Sequence, residues 1–202
     1  VQEAPKQPAP KQEEFILKST PVEFTSVAQQ PKKDNRPVKD DQPVPKGFLA
    51  EMARLKGRLD INSRASDTMK TMRTDFANAL KDIGNNATKG SVRDALRSVM
   101  ADGAKYQQEK LKLAQKNSGF SRTQLRRLKT INYMAGLNHL MEKDISPDTP
   151  EGKRFMLSVK LANALATADT ANKQKGLCKS QDILKQAEAI QKSEYFDKFI
   201  EN

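Results

Sequence analysis

Residues 121–144, SRTQLRRLKTINYMAGLNHLMEKD, constrain the fold more than any other stretch. The second half, residues 131–141, is apolar on nearly every helical face. A helix that is apolar all round needs neighbours on all sides. The stretch therefore predicts the central helix of an α-helical domain. The first half is basic and predicts a charged entry that stays wet. Three signals mark its start: Ser121 as N-cap, Gln124 completing an S-x-x-Q capping box, and Phe120 and Leu125 at the hydrophobic-staple positions.

Other helices read from the same periodicity. Phe48, Met52, Leu55 and Leu59 recur at three-to-four spacing, as do Met69, Met72, Phe76, Leu80 and Ile83. The polar DINSRAS at residues 60–66 is either a loop between two helices or the middle of one long helix. Gly84 with Asn85 and Asn86 ends this element. Ser91, with Asp94 three residues on, is expected to open the next helix, whose buried side carries Leu96, Val99, Met100 and Leu111. Thr149 caps a helix with Pro150 at its first position. Ser180 is expected to cap the last helix. No strand or hairpin pattern is present in the body. The fold class is all-α, a five- or six-helix bundle of residues 47–202.

Residues 1–46 form a separate compositional unit, a tail or linker. They hold eight of the ten prolines, with Lys, Gln, Asp and Glu filling most of the rest. Proline lacks a backbone donor and restricts its predecessor to extended conformations. With little apolar surface, the tail is expected to be extended or disordered. Two apolar islands interrupt it, Phe15-Ile16-Leu17 and the run around Phe24. They are read either as a docking motif for a protein partner, added as a strand or laid in a groove, or as linker residues.

Charge narrows the partners. The chain carries a formal charge of +11 and a sequence pI of about 9.7. Such a balance favours an anionic partner: nucleic acid, an acidic protein or an anionic membrane surface. No apolar run approaches the roughly 18–20 residues of a transmembrane helix. The single cysteine, Cys178, excludes an intrachain disulfide and fits a cytoplasmic or other reducing compartment.

The charge is concentrated in one hairpin. Between Lys105 and Lys129 lie eight basic residues and one acid, Glu109. Lys105, Lys112 and Lys116 share one helical face, and Arg122, Arg126 and Lys129 share a face of the next helix. If the faces adjoin, they form a cationic plate. Arg122 sits in a first turn, where the helix dipole is already positive, and a bound anion would offset that conflict. The tail acids Asp34, Asp40 and Asp41 are candidates to cover this plate.

The segment LKLAQKNSGFSRTQLRRLKTIN resembles a DNA-binding helix-turn-helix. Gly119, Phe120, Ser121, Leu125, Arg126, Arg127 and Leu128 carry the resemblance. It implies a recognition helix whose Arg122, Thr123, Arg126 and Arg127 face DNA, where Arg reads guanine edges and phosphates. The first half departs from the pattern, since Leu113-Ala114 lies one residue too far from Gly119. A proline-rich tail on an isolated helical domain is also similar in style to secreted bacterial effectors. That likeness implies an adaptor acting in a host cytosol.

Enzyme signals are sparse. His139 lies in the apolar half of the central helix and reads as a core imidazole. Cys178 sits in a linker without an orienting group. No phosphate-binding Gly-rich loop or metal-ligand spacing occurs, so no cofactor or metal is expected, and the chain reads as a non-enzymatic binding domain, with an enzyme of unrecognised class as the other alternative.

Overall fold

The computed structural model describes residues 40–59, 65–84, 87–116, 119–168 and 174–201. All belong to one compact unit, Pro37–Asn202. The described residues form seven α-helices and one 3-10 helix, with no β-strand. The helices are α1 (Phe48–Arg58), α2 (Asp67–Ile83), α3 (Lys89–Lys116), α4 (Arg122–Glu142), α5 (Pro150–Ala168), α6 (Ser180–Gln191) and α7 (Glu194–Glu201). The 3-10 helix is Gln174–Cys178.

The all-α expectation holds, and α4 is the centre. It packs against α1, α3, α5, α6 and the 3-10 helix. Every residue from Thr130 to Leu137 is buried, as an all-round apolar segment requires. Two glycines set the closest approaches. A Cβ on Gly136 would stand 3.2 Å from Val159 of α5, and one on Gly103 of α3 would stand 3.0 Å from Ile131. The methionine stripe of Met52, Met69 and Met72 is fully buried. It belongs to the core.

The helix count exceeds the expected five or six for local reasons. The first two apolar runs are separate helices, because Ser66 caps α2 by accepting from the Met69 amide at 3.3 Å. The C-terminal run divides at Ser193, whose hydroxyl accepts from the Tyr195 amide and starts α7.

Two caps differ from expectation. Helix α3 opens at Lys89, before Ser91. Thr88 and Ser91 exchange side-chain hydrogen bonds with each other's backbone amides, at 3.2 and 3.0 Å. Ser180 is the first residue of α6, and its side chain makes no cap. It turns into the core instead, donating to Asn132 Oδ1 at 2.8 Å. The capping box of Ser121 and Gln124 and the Thr149 cap are as read from sequence.

Residues 40–46, assigned to the tail on composition, pack on the start of α3. Lys89 donates its backbone N–H to the Gln42 carbonyl at 2.9 Å, and Gly90 donates to the Asp40 carbonyl at 3.1 Å. The Asp40 carboxylate pairs with Arg93 at 2.5 Å. Arg93 lies 23 residues before Lys116 on a continuous helix, roughly 35 Å away at 1.5 Å per residue. Asp40 therefore does not cover the basic hairpin. Asp34 and the islands at Phe15, Ile16, Leu17 and Phe24 lie outside the described residues.

Candidate anion-binding groove

The basic face of α4 does not meet α3. It looks across a groove at α5. Arg122, Arg126, Lys129 and Tyr133 follow one another at i, i+4, i+7 and i+11, which aligns them along one side of a helix. Leu125 and Thr130 complete that wall. Helix α5 runs antiparallel to α4, with Val159 beside Gly136 and Asn163 bonded to the Lys129 carbonyl at 3.3 Å. It contributes Lys160, Asn163, Ala164 and Thr167, again at helical spacing. Arg58, the last residue of α1, closes one side. The cavity measures about 800 Å³.

Five of its lining residues are cationic: Arg58, Arg122, Arg126, Lys129 and Lys160. None of the described lining residues is an acid. Arg58 also lies over the Tyr133 ring, 5.9 Å from its centroid, with Arg54 at 6.0 Å. The tyrosine thus anchors two guanidinium groups. Burial pushes the Tyr133 hydroxyl above its ordinary pKa, against the pull of Arg58 and Arg54.

The neutral polar groups of the floor are engaged within the fold. Thr130 Oγ1 donates to the Arg126 carbonyl at 2.8 Å, and Thr167 Oγ1 donates to the Asn163 carbonyl at 2.7 Å. Leu125, Ala164 and the Tyr133 ring supply apolar surface. Thr167 stands one residue from the end of α5, where carbonyls carry partial negative charge. That end lies beside Arg122 and partly offsets a cation in the first turn of α4.

The other residues of the expected plate are distributed differently. Lys105, Lys112 and Lys116 are exposed on α3, but none lines the groove. Thr123 is exposed just outside the lining. Arg127 is only 7% exposed. It lies one step round from Arg126, on the side of α4 that faces α3, where its guanidinium interacts with the Tyr106 hydroxyl. A DNA-facing Arg127 is therefore not available on this surface. The physical reason is helical phase. Arg127, Ile131 and Met134 form one buried row, and Arg122, Arg126 and Lys129 form another row roughly 140° away.

Two groove cations, Arg58 and Lys160, were absent from the sequence-based set. Lys160 did carry a signal. It is the lone charge in the otherwise apolar and small-residue run FMLSVKLANALATA, so it marks the strip of α5 that faces water. Arg58 carried none, because its proximity to α4 is purely tertiary.

The enzyme-type residues sit elsewhere. His139 stacks on Phe155 with ring centroids 4.8 Å apart. Burial and then Lys143 hold its pKa below the ordinary value. Glu188 stands 3.7 Å from its Nε2. Cys178 is buried, and burial pushes its thiol up to about 11. Neither lines the groove. Among the described residues no group of three or more His, Cys, Asp or Glu could hold a metal ion, and no helix is long and apolar enough to cross a membrane. No family model, curated protein or solved structure matches the chain.

Proposed function

We propose that this chain is a helical binding domain whose α4–α5 groove receives an anionic partner. One observation carries the reading. Arg58, Arg122, Arg126, Lys129 and Lys160 converge from three helices on one concave surface without an acid among its described lining residues. Cations crowded together repel one another, and an anion relieves that repulsion while gaining charge-assisted hydrogen bonds. The groove replaces the expected plate of α3 and α4 with one of α4, α5 and α1. Nucleic acid remains within this class of partner.

Titration with labelled single- and double-stranded oligonucleotides, and with heparin as a generic polyanion, tests the proposal. Binding should weaken steeply with salt, since each displaced counterion adds to the slope. The double variant Arg122→Ala/Arg126→Ala should lose most of the affinity. The triple variant Lys105→Ala/Lys112→Ala/Lys116→Ala should retain it. Equal losses in both would mean that net charge, not the groove, binds the anion.

A further inference from the structure

We infer that the ligand of this groove is a compact molecule bearing several phosphate groups, recognised by charge and not by its organic part. The inference rests on the anionic-partner reading and narrows it.

Shape comes first. The cationic row of α4 points into a seam whose opposite wall is α5. The B-DNA major groove is about 12 Å wide and admits one helix. Two helices packed 8–10 Å apart, each 10–12 Å across with side chains, span about 20 Å. The row therefore cannot be laid along a duplex as a recognition helix, because α5 would collide with the backbone. What meets these cations must enter the seam. A cavity of about 800 Å³ lies within the roughly 300–1,000 Å³ of small-ligand sites.

Charge comes second. Three of the five groove cations are arginines. Their planar fork matches two oxygens of one phosphate, and phosphate supplies more negative charge per unit volume than carboxylate. Arg122 and Lys129 lie seven residues apart on α4, roughly 10 Å along the axis, with Lys160 on the opposite wall and Arg58 to one side. A single phosphate cannot bridge that spread, whereas a chain or ring of phosphates can.

Selectivity comes third. Reading a base or a sugar needs uncommitted neutral donors and acceptors at fixed positions. Here the Thr130 and Thr167 hydroxyl protons and the Asn163 amide are committed to carbonyls of the fold. The Tyr133 ring is already occupied by Arg54 and Arg58, so it is not a stacking platform for a base. The site can count phosphates but has little with which to tell adenine from guanine.

Calorimetric titration of the full chain tests this with orthophosphate, tripolyphosphate, ATP and GTP. A labelled 20-base-pair duplex serves as competitor probe. Tripolyphosphate should bind at least about tenfold tighter than orthophosphate, the value of one additional charged contact. ATP and GTP should agree within about twofold, a difference of some 0.4 kcal/mol. Arg122→Gln/Lys160→Gln, both exposed positions, should weaken tripolyphosphate by at least about tenfold at an unchanged urea midpoint. A duplex that binds through Arg122 and Arg126 and is not displaced by tripolyphosphate would overturn this inference while sparing the anionic-partner reading. A strong preference between ATP and GTP would overturn charge-only recognition. Absence of binding by every polyanion, duplex and heparin included, would remove both.

Discussion

Asn132 at the middle of α4 donates its side-chain amide to Asn163 Oδ1 of α5 at 3.0 Å, and both residues are buried. The bond belongs to a larger network. Gln107 Nε2 of α3 donates to Asn132 Oδ1 at 3.0 Å and to Ser180 Oγ at 2.9 Å. Asn132 Nδ2 also reaches the Leu177 carbonyl at 3.1 Å. Four helices and the 3-10 segment are thus held at one point by polar groups that find each other in place of water. Asn163 is shared with the groove floor, so this network fixes how α5 stands opposite the α4 cations.

Removing one member leaves buried partners unsatisfied, a cost of about 1–3 kcal/mol. Asn163→Ala should lower stability by that amount in urea unfolding. It should also weaken polyanion binding more than its distance from the charges would suggest, because Lys129 loses the bond that fixes its carbonyl. A stability unchanged within a few tenths of a kcal/mol would mean that the network contributes little.

Arg126 and Arg127 are neighbours in sequence with opposite expected phenotypes. Arg126→Ala should cost affinity at the groove with little effect on stability. Arg127→Ala should cost stability, on the order of 1–3 kcal/mol, since it removes a nearly buried side chain that packs on the α3 side of α4 beside the Tyr106 hydroxyl. A double-mutant cycle checks the pairing. Tyr106→Phe should be less costly in the Arg127→Ala background than alone.

The sequence made the centre of this fold legible, because α4 advertises its burial on all faces and its start through Ser121, Gln124 and Phe120. It was less informative wherever a polar side chain had a choice. Ser180 has the position and chemistry of an N-cap, yet it serves the Gln107–Asn132 network, which joins residues 73 positions apart. Asp40 looks like tail, yet it pairs with Arg93. The basic character of the hairpin was plain. Its geometry was not, since whether the face of Arg122, Arg126 and Lys129 meets α3 or α5 depends on how α4 is rotated among its neighbours. Periodicity gives rows, and packing decides what each row faces.

Gly152, in the first turn of α5, admits no side chain. A Cβ there would lie 2.0 Å from the Ser146 carbonyl oxygen and 2.8 Å from Pro147 Cα. Both are backbone atoms of the turn that also places the Thr149 cap. No rotamer change can relieve the clash, so the turn itself must move. Gly152→Ala should destabilise by about 3 kcal/mol or more, in the range of severe overpacking. Calorimetry of the variant, with Gly57→Ala as control, checks it. Nothing lies within 4 Å of a Cβ at Gly57, and there alanine should be neutral or stabilising.

Asp102 on α3 gives the fold a defined pH dependence. Its carboxyl is buried, and its pKa is raised from 3.8 to about 6. Desolvation is the largest cause, followed by a hydrogen bond with Asp75 of α2 and repulsion from that carboxylate, while Lys105 pulls the other way. Below about pH 4 the group is protonated in both folded and unfolded chains and costs nothing. Between about pH 4 and pH 6 the unfolded chain gives up its proton first, so stability falls as pH rises through this window. Above pH 6 the folded state carries the full penalty, on the order of 1–3 kcal/mol at about 1.4 kcal/mol per pKa unit. His139 works in the opposite sense. Its pKa is lowered on folding, so its contribution is lost as pH falls below the ordinary histidine range. The variant Asp102→Asn separates the two, because the amide keeps a donor for Asp75 and cannot ionise. It should match the wild type near pH 4 and exceed it in stability at pH 7–8. A difference between the two proteins that stays constant from pH 4 to pH 8 would mean that Asp102 is ionised at its ordinary pKa in the folded chain.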